Sequence, residues 1–259
     1  MGTTKLTRKE ILAEDPVHEA IIRFIEFFRV NGQKIGIAAA AVVVAAFAVY
    51  GGLQYLNNRE IQAQEQFGKG LNFFHSEVTP DATDDPYSKG PTPTFRSDAA
   101  KYKAAAKEFS AVASRYGSGK ISIVARYYLG LAQQQLGQKK ESIQNLESVA
   151  NNSRDRTIGF LAKKVLSTCY LDSGNYKGAR EILESMIKDP QCDLPKEELS
   201  IQLSRVLIAQ GKRDEAIKVL HAADSQSPAF GVFKQQLTAE LERLQKTPGA
   251  GTGQLPAHP

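Results

Sequence analysis

Histidine, cysteine and methionine are scarce in this 259-residue chain, at four, two and two, and tryptophan is absent. His18, His75, His221 and His258 stand far apart, so no pair has metal-ligand spacing and no metal site is expected. No GxSxG, HExxH or Walker sequence occurs. Gly117-Ser118-Gly119-Lys120 lacks the preceding glycine and strand of a phosphate loop and reads as a turn, and the adjacent Glu197 and Glu198 suit a helix N-terminus, where carboxylates meet the positive dipole end. An enzyme is therefore not expected, and neither is a cofactor or a small-molecule substrate. The net charge of +5 comes from basic residues scattered among acids, without the aromatic interleaving of a base-stacking surface. Nucleic-acid binding is excluded on that ground.

Charge is missing altogether from one block. The 22 residues from Ile35 to Leu56 (IGIAAAAVVVAAFAVYGGLQYL) hold no Asp, Glu, Lys or Arg. As a helix rising about 1.5 Å per residue they span roughly 33 Å, enough for a hydrocarbon core of about 30 Å. A cleavable signal would begin nearer the N-terminus and be shorter, and no cysteine follows the run to accept a lipid. An uncleaved anchor is expected over a buried core helix. Lys5, Arg8, Lys9, Arg23, Arg29 and Lys34 precede the span, whereas only Arg59 and Lys69 follow closely. That bias puts the N-terminus in the cytoplasm and, in a bacterium, everything after Asn57 in the periplasm.

Before the anchor, DPVHEAIIRFIEFFRV opens with Asp15 as N-cap and Pro16 at the first helical position. Val17, Ile21, Phe24, Ile25 and Phe28 recur at helical spacing with charged residues on another side. Segment 1–34 is thus expected to carry an amphipathic helix joined to the span by a hinge at Asn31–Lys34. Ile21, Phe24, Ile25 and Phe28 would face the membrane interface, or a membrane-embedded partner.

After the anchor the chain repeats itself every 37 residues. Ala105, Ser142, Ala179 and Ala216 keep that spacing, as do Phe109, Leu146, Leu183 and Leu220, then Val112, Val149, Met186 and Ala223. Gly137, Gly174 and Gly211 precede the last three small residues by five. The unit is a helix, a glycine turn where φ > 0 is tolerated, and a second helix whose small residue admits its neighbour. Such units must stack to bury their faces. Two paired elements depart from the pattern. The first unit takes its first helix from Arg59 to Phe74, with Phe67-Gly68 in register, and its second from Ala99 to Ser114, with a proline-rich insertion at 75–97 that is either mobile or functional. Asp81, Asp84 and Asp85 in it lack calcium-loop spacing. Phe230, Phe233, Leu237, Leu241 and Leu244 form the stripe of a terminal capping helix, and the Gly/Pro-rich tail 247–259 is expected to be disordered.

Leu129-Gly130, Tyr170, Gly174-Asn175-Tyr176, Ala179, Leu183, Pro190, Gly211, Ala216, Leu220, Ala223 and Pro228 resemble the tetratricopeptide repeat pattern, without its early Trp and with a period longer than its usual 34 or so. The fold expected is all-α: one N-terminal transmembrane helix (35–56), then a tetratricopeptide-like α-solenoid of about four helix pairs and a capping helix (57–246). In that register Cys169 sits mid-helix and Cys192 follows the next helix, too far apart to bridge across the roughly 7 Å a disulfide allows.

The resemblance also implies a binding groove along the first helix of each unit. Its positions map to Val124, Tyr127, Leu131 and Gln134, to Leu161, Lys164, Thr168 and Leu171, and to Glu198, Ile201, Arg205 and Ile208. These rows lack the Lys-with-Asn pair by which some members clamp a terminal carboxylate, so apolar contact with an extended or helical segment is expected. Together, the Glu19–Gly36 stretch, the span and the repeats resemble the ancillary subunit family of the SecYEG translocon. That implies protein partners (translocon subunits, periplasmic chaperones or exported chains) and no catalysis. The alternative is a fixed scaffold subunit of another envelope complex.

Overall fold

A computed structural model describes residues 16–83, 85–87, 90–116, 119–227 and 232–246. The elements run α1 (Pro16–Phe74), β1 (Glu77–Val78), β2 (Thr94–Phe95), α2 (Asp98–Arg115), α3 (Lys120–Gln135), α4 (Lys139–Asn152), α5 (Arg156–Asp172), α6 (Tyr176–Lys188), α7 (Lys196–Ala209), α8 (Arg213–Gln226) and α9 (Val232–Lys246). The chain is all-α apart from that two-residue bridge, with a long apolar N-terminal helix followed by stacked helix pairs, as expected. The Asp15 cap, Ser118, Pro228, Phe230 and the tail 247–259 lie outside the described residues.

Two compact units divide at Arg59 and Glu60. In the first, α1 is long and apolar enough to cross a membrane, and none of its most apolar window is buried. The hinge expected at Asn31–Lys34 is not there: helix runs through it. A lone Gly32 weakens the helical path by only about 1 kcal/mol, and Asn31 donates its side-chain amide to the Phe27 carbonyl one turn back at 3.1 Å. Ile21, Phe24, Ile25 and Phe28 are exposed, and so are Ile22 and Phe27.

The second unit is built by the 37-residue pattern. Ala105, Ser142, Ala179 and Ala216, and one turn later Phe109, Leu146, Leu183 and Leu220, all have 0% exposure. Each small residue lets two helices close up, and each large one fills the gap behind it, contributing about 1.5–3 kcal/mol when fully buried. Ser142 satisfies its own hydroxyl by donating to the Gly130 carbonyl at 2.8 Å. Turns repeat as faithfully. Gly137, Gly174 and Gly211 adopt φ of 72°, 79° and 76°, and each closes the same Schellman pair. The glycine N–H donates to Gln134, Leu171 or Ile208, and the next N–H to Gln133, Tyr170 or Leu207. Ser97, Asp155 and Asn175 cap α2, α5 and α6 by accepting backbone N–H bonds. At the end, α9 packs on both α7 and α8, burying Leu237, Leu241 and Leu244 with Phe233 half-buried; Lys234 pairs with Asp224 at 2.8 Å.

The first pair corrects the sequence register by two residues. Gly68 has open space where a Cβ would stand, whereas one on Gly70 would lie 2.6 Å from the Phe109 ring. Gly70 therefore plays against Phe109 the part Gly130 plays against Leu146, where a Cβ would come within 2.8 Å. A ring larger than leucine needs the glycine directly beneath it. The insertion after α1 also packs. Glu77–Val78 pairs in parallel with Thr94–Phe95, and Phe73 meets Phe95 edge-on at 5.5 Å and Tyr87 at 5.7 Å. Arg96 donates to the Ala82 carbonyl at 2.6 Å, and Ala82, Pro93 and Phe95 are buried.

This geometry separates two neighbouring glycines. Gly70→Ala is expected to destabilise the repeat unit by about 1–3 kcal/mol through overpacking, and Gly68→Ala to leave it unchanged or stabilise it by up to about 1 kcal/mol. Thermal denaturation of the full chain followed by circular dichroism reads both. Equal effects would return the register to Gly68.

Candidate partner-binding faces

Consecutive first helices touch directly, α3 with α5 and α5 with α7, so the three rows form one continuous surface. Sequence-mapped groove residues divide into two groups there. Val124, Leu131, Gln134, Leu161, Lys164, Thr168, Glu198 and Arg205 are half-buried on that surface. Tyr127, Leu171 and Ile208 pack against the hydrophobic core, and Ile201 belongs to it at 7% exposure. Periodicity alone could not separate these groups, because one helical face serves both the neighbouring helix and the open side.

Two of the polar groups on this surface are committed to each other. Lys164 of α5 pairs with Glu198 of α7, joining two groove positions across adjacent units. Burial pushes the Tyr127 phenol above its ordinary range, with Tyr128 beside it as a lesser cause. What remains open is a strip of aliphatic side chains, chiefly Val124, Leu131 and Leu161, flanked by amides. Such a strip can hold an apolar side chain; it has no group to activate one.

On the second-helix side, Tyr170 donates to the Glu147 carboxylate of the preceding unit. Its ring lies where a Cβ on Gly178 would come within 2.8 Å. That explains both glycines of the Gly174-Asn175-Tyr176-Lys177-Gly178 turn: one for its φ, one for its bareness. Desolvation, and then the Glu147 acceptor, push the Tyr170 phenol up to about 12. Cys169 and Cys192 are free and buried in different core clusters. Burial raises the Cys169 thiol, which lies 3.8 Å from the Ser142 hydroxyl. Neither is placed as a nucleophile. Among the described residues no group of three His, Cys, Asp or Glu could hold a metal ion.

Sequence reasoning missed the cavities on this side, one of them of about 460 Å³ beside Leu166, Tyr170 and Ile182. One of about 630 Å³ opens between α6, α7 and α8, near Ile187, Leu203 and Val219. Another of about 570 Å³ lies between α2, α3 and α4, near Ile123, Arg126 and Val149. Every residue lining this last cavity has its counterpart two repeat lengths on in the lining of the one between α6, α7 and α8, a signal present in the sequence but invisible until the cavities are seen.

Two tetratricopeptide repeat family models match the sequence, one over residues 124–155 and one over residues 170–230. The first match takes in most of α3 and all of α4, the second the end of α5 through α8. Residues 124–155 and 170–230 are thus tetratricopeptide-like repeats, in a chain that also carries a long apolar N-terminal helix. No curated protein matches the sequence. Two similar solved structures come from Podosopora anserina, a protein described as a putative kinesin light chain with nearly identical TPR-like repeats and a single-substitution form of it. They are 19% and 18% identical, with a TM-score of 0.48 and coverage of 56% of this chain and 78% of the other.

Alkali tests the Tyr170 contact. The folded phenol titrates above the unfolded value of about 10, so its contribution to stability is full below pH 10 and disappears as pH rises toward 12. Ultraviolet titration of the nine tyrosines should show a last component near pH 12 that Tyr170→Phe removes and Glu147→Gln shifts downward. A Tyr170→Phe curve identical to wild type would refute the contact.

Proposed function

We propose that this chain is a membrane-anchored adaptor that captures other proteins and performs no catalysis. Residues 1–34 form its cytoplasmic segment, 35–56 its single span in a bacterial inner membrane, and 57–246 its periplasmic interaction domain. The observation that supports this reading is the joint presence of an exposed apolar helix and tetratricopeptide repeats with an open aliphatic strip. The repeats support protein partners in general. The resemblance to the ancillary translocon subunit family supports translocon components, periplasmic chaperones or exported chains in particular.

Recognition rests on Val124, Leu131 and Leu161, with Gln134, Thr168 and Arg205 at the rim, and Ile21, Phe24, Ile25 and Phe28 lie in the lipid interface. Because Tyr127, Leu171, Ile201 and Ile208 also serve the core, truncating them would confound binding with stability. The informative variant is Leu131→Ala with Leu161→Ala. In-cell photocrosslinking from position 134, with partners identified by mass spectrometry, should fall by an amount corresponding to about 1–3 kcal/mol while the melting temperature holds. Unchanged crosslinking in this variant would refute the strip, and recovery of one partner at fixed stoichiometry, insensitive to it, would favour a scaffold subunit.

Topology has its own measurement. Protease added outside intact spheroplasts should digest the repeat domain and spare an N-terminal tag, as the Lys/Arg bias requires. The reverse pattern would invert the assignment.

A further inference from the structure

Ile123, Phe160 and Glu197 occupy the same place in successive repeats, 37 residues apart. Phe160 is 6% exposed and packed into the core with Leu183 and Met186, and the Lys163 ammonium sits 5.3 Å from its ring centroid. At the two flanking places the chain supplies no aromatic ring, and the interhelical grooves stand open there, at about 570 Å³ beside Ile123 and about 630 Å³ beside Glu197; the repeat between them also has a cavity, of about 460 Å³ beside Leu166 and Ile182, which Phe160 does not line. Phe160 thus shows what the groove is shaped to take: a phenylalanine-sized side chain with a cation over its face.

The second groove differs from the first in charge. Ile187, Leu203 and Val219 give it an apolar floor, with Ala222 at its open edge. Arg180 is committed to Glu184 at 2.6 Å and Glu215 at 3.0 Å, and Glu197 accepts from Ser227 at 3.0 Å. Lys188 and Lys196 line the same groove and are exposed; two repeats earlier their places hold Ser114 and Ser122. Within the described residues these two ammonium groups join no ion pair, and neither does the Glu197 carboxylate, so the charge left at this mouth is two positive against one negative.

We propose that the groove between α6 and α8, over α7, binds a short segment of another protein that presents one phenylalanine side chain flanked by carboxylates. The ring enters the space that Phe160 fills in the preceding repeat, and the carboxylates meet Lys188 and Lys196. This site is separate from the first-helix strip, so one adaptor would hold two protein segments on opposite sides of its repeats.

A fluorescein-labelled peptide, Gly-Glu-Asp-Phe-Asp-Glu-Gly, titrated with the full chain in detergent by anisotropy, tests it. Saturable binding is expected. It should weaken at least tenfold with Lys188→Glu and Lys196→Glu together, with Ala222→Trp, which blocks the groove from an exposed position, and with alanine in place of the peptide's phenylalanine. Leu131→Ala with Leu161→Ala should leave it unchanged. Circular dichroism checks the fold of each variant, and the milder Lys188→Gln with Lys196→Gln repeats the charge test. Absence of saturation at millimolar protein, indifference to Ala222→Trp, or loss of binding in the Leu131/Leu161 variant would each overturn the proposal.

Discussion

Everything in the repeat unit depends on one close approach: the second helix of each pair laid against the first with no side chain larger than a hydroxyl between them. Ala105, Ser142, Ala179 and Ala216 permit it, and Phe109, Leu146, Leu183 and Leu220 exploit it. Had those small positions been larger, the big residue one turn on would lose its pocket, costing about 2–5 kcal/mol where a leucine is effectively removed. Every pair rests on the next, so that cost propagates along the stack. Bareness at Gly70, Gly130 and Gly178 extends the same constraint outward to Phe109, Leu146 and Tyr170.

Features governed by neighbours in sequence were the legible ones. The three left-handed glycines, their identical Schellman closures and the buried 37-residue series follow from local periodicity and turn chemistry, and the structure reproduces them. Features decided by a particular side chain arriving from elsewhere were not. Gly68 and Gly70 look equivalent until the Phe109 ring is seen against one of them. The stretch Asn31–Lys34 reads as a hinge by composition, yet the helix continues through it. The insertion after α1 has no period, yet Phe73 captures Phe95 and Tyr87 from it.

The binding faces were partly legible for the same reason. A groove register names the residues on one side of a helix, and the structure then divides them by packing. Leu131 and Leu161 stay half-exposed while Ile201 goes under. The second-helix grooves needed the opposite inference, from a filled place to an open one, because Phe160 reads as an ordinary core residue until its counterparts Ile123 and Glu197 are compared.

The position of α9 bears on how such an array can change length. It lies on α7 and α8 in the seat where a further repeat would dock its opening helix, and its outward face carries Gln235, Gln236, Glu242 and Lys246 rather than aliphatic side chains. Gene duplication of one 37-residue block ahead of it would find every contact already provided for. Duplication behind it would meet a polar wall.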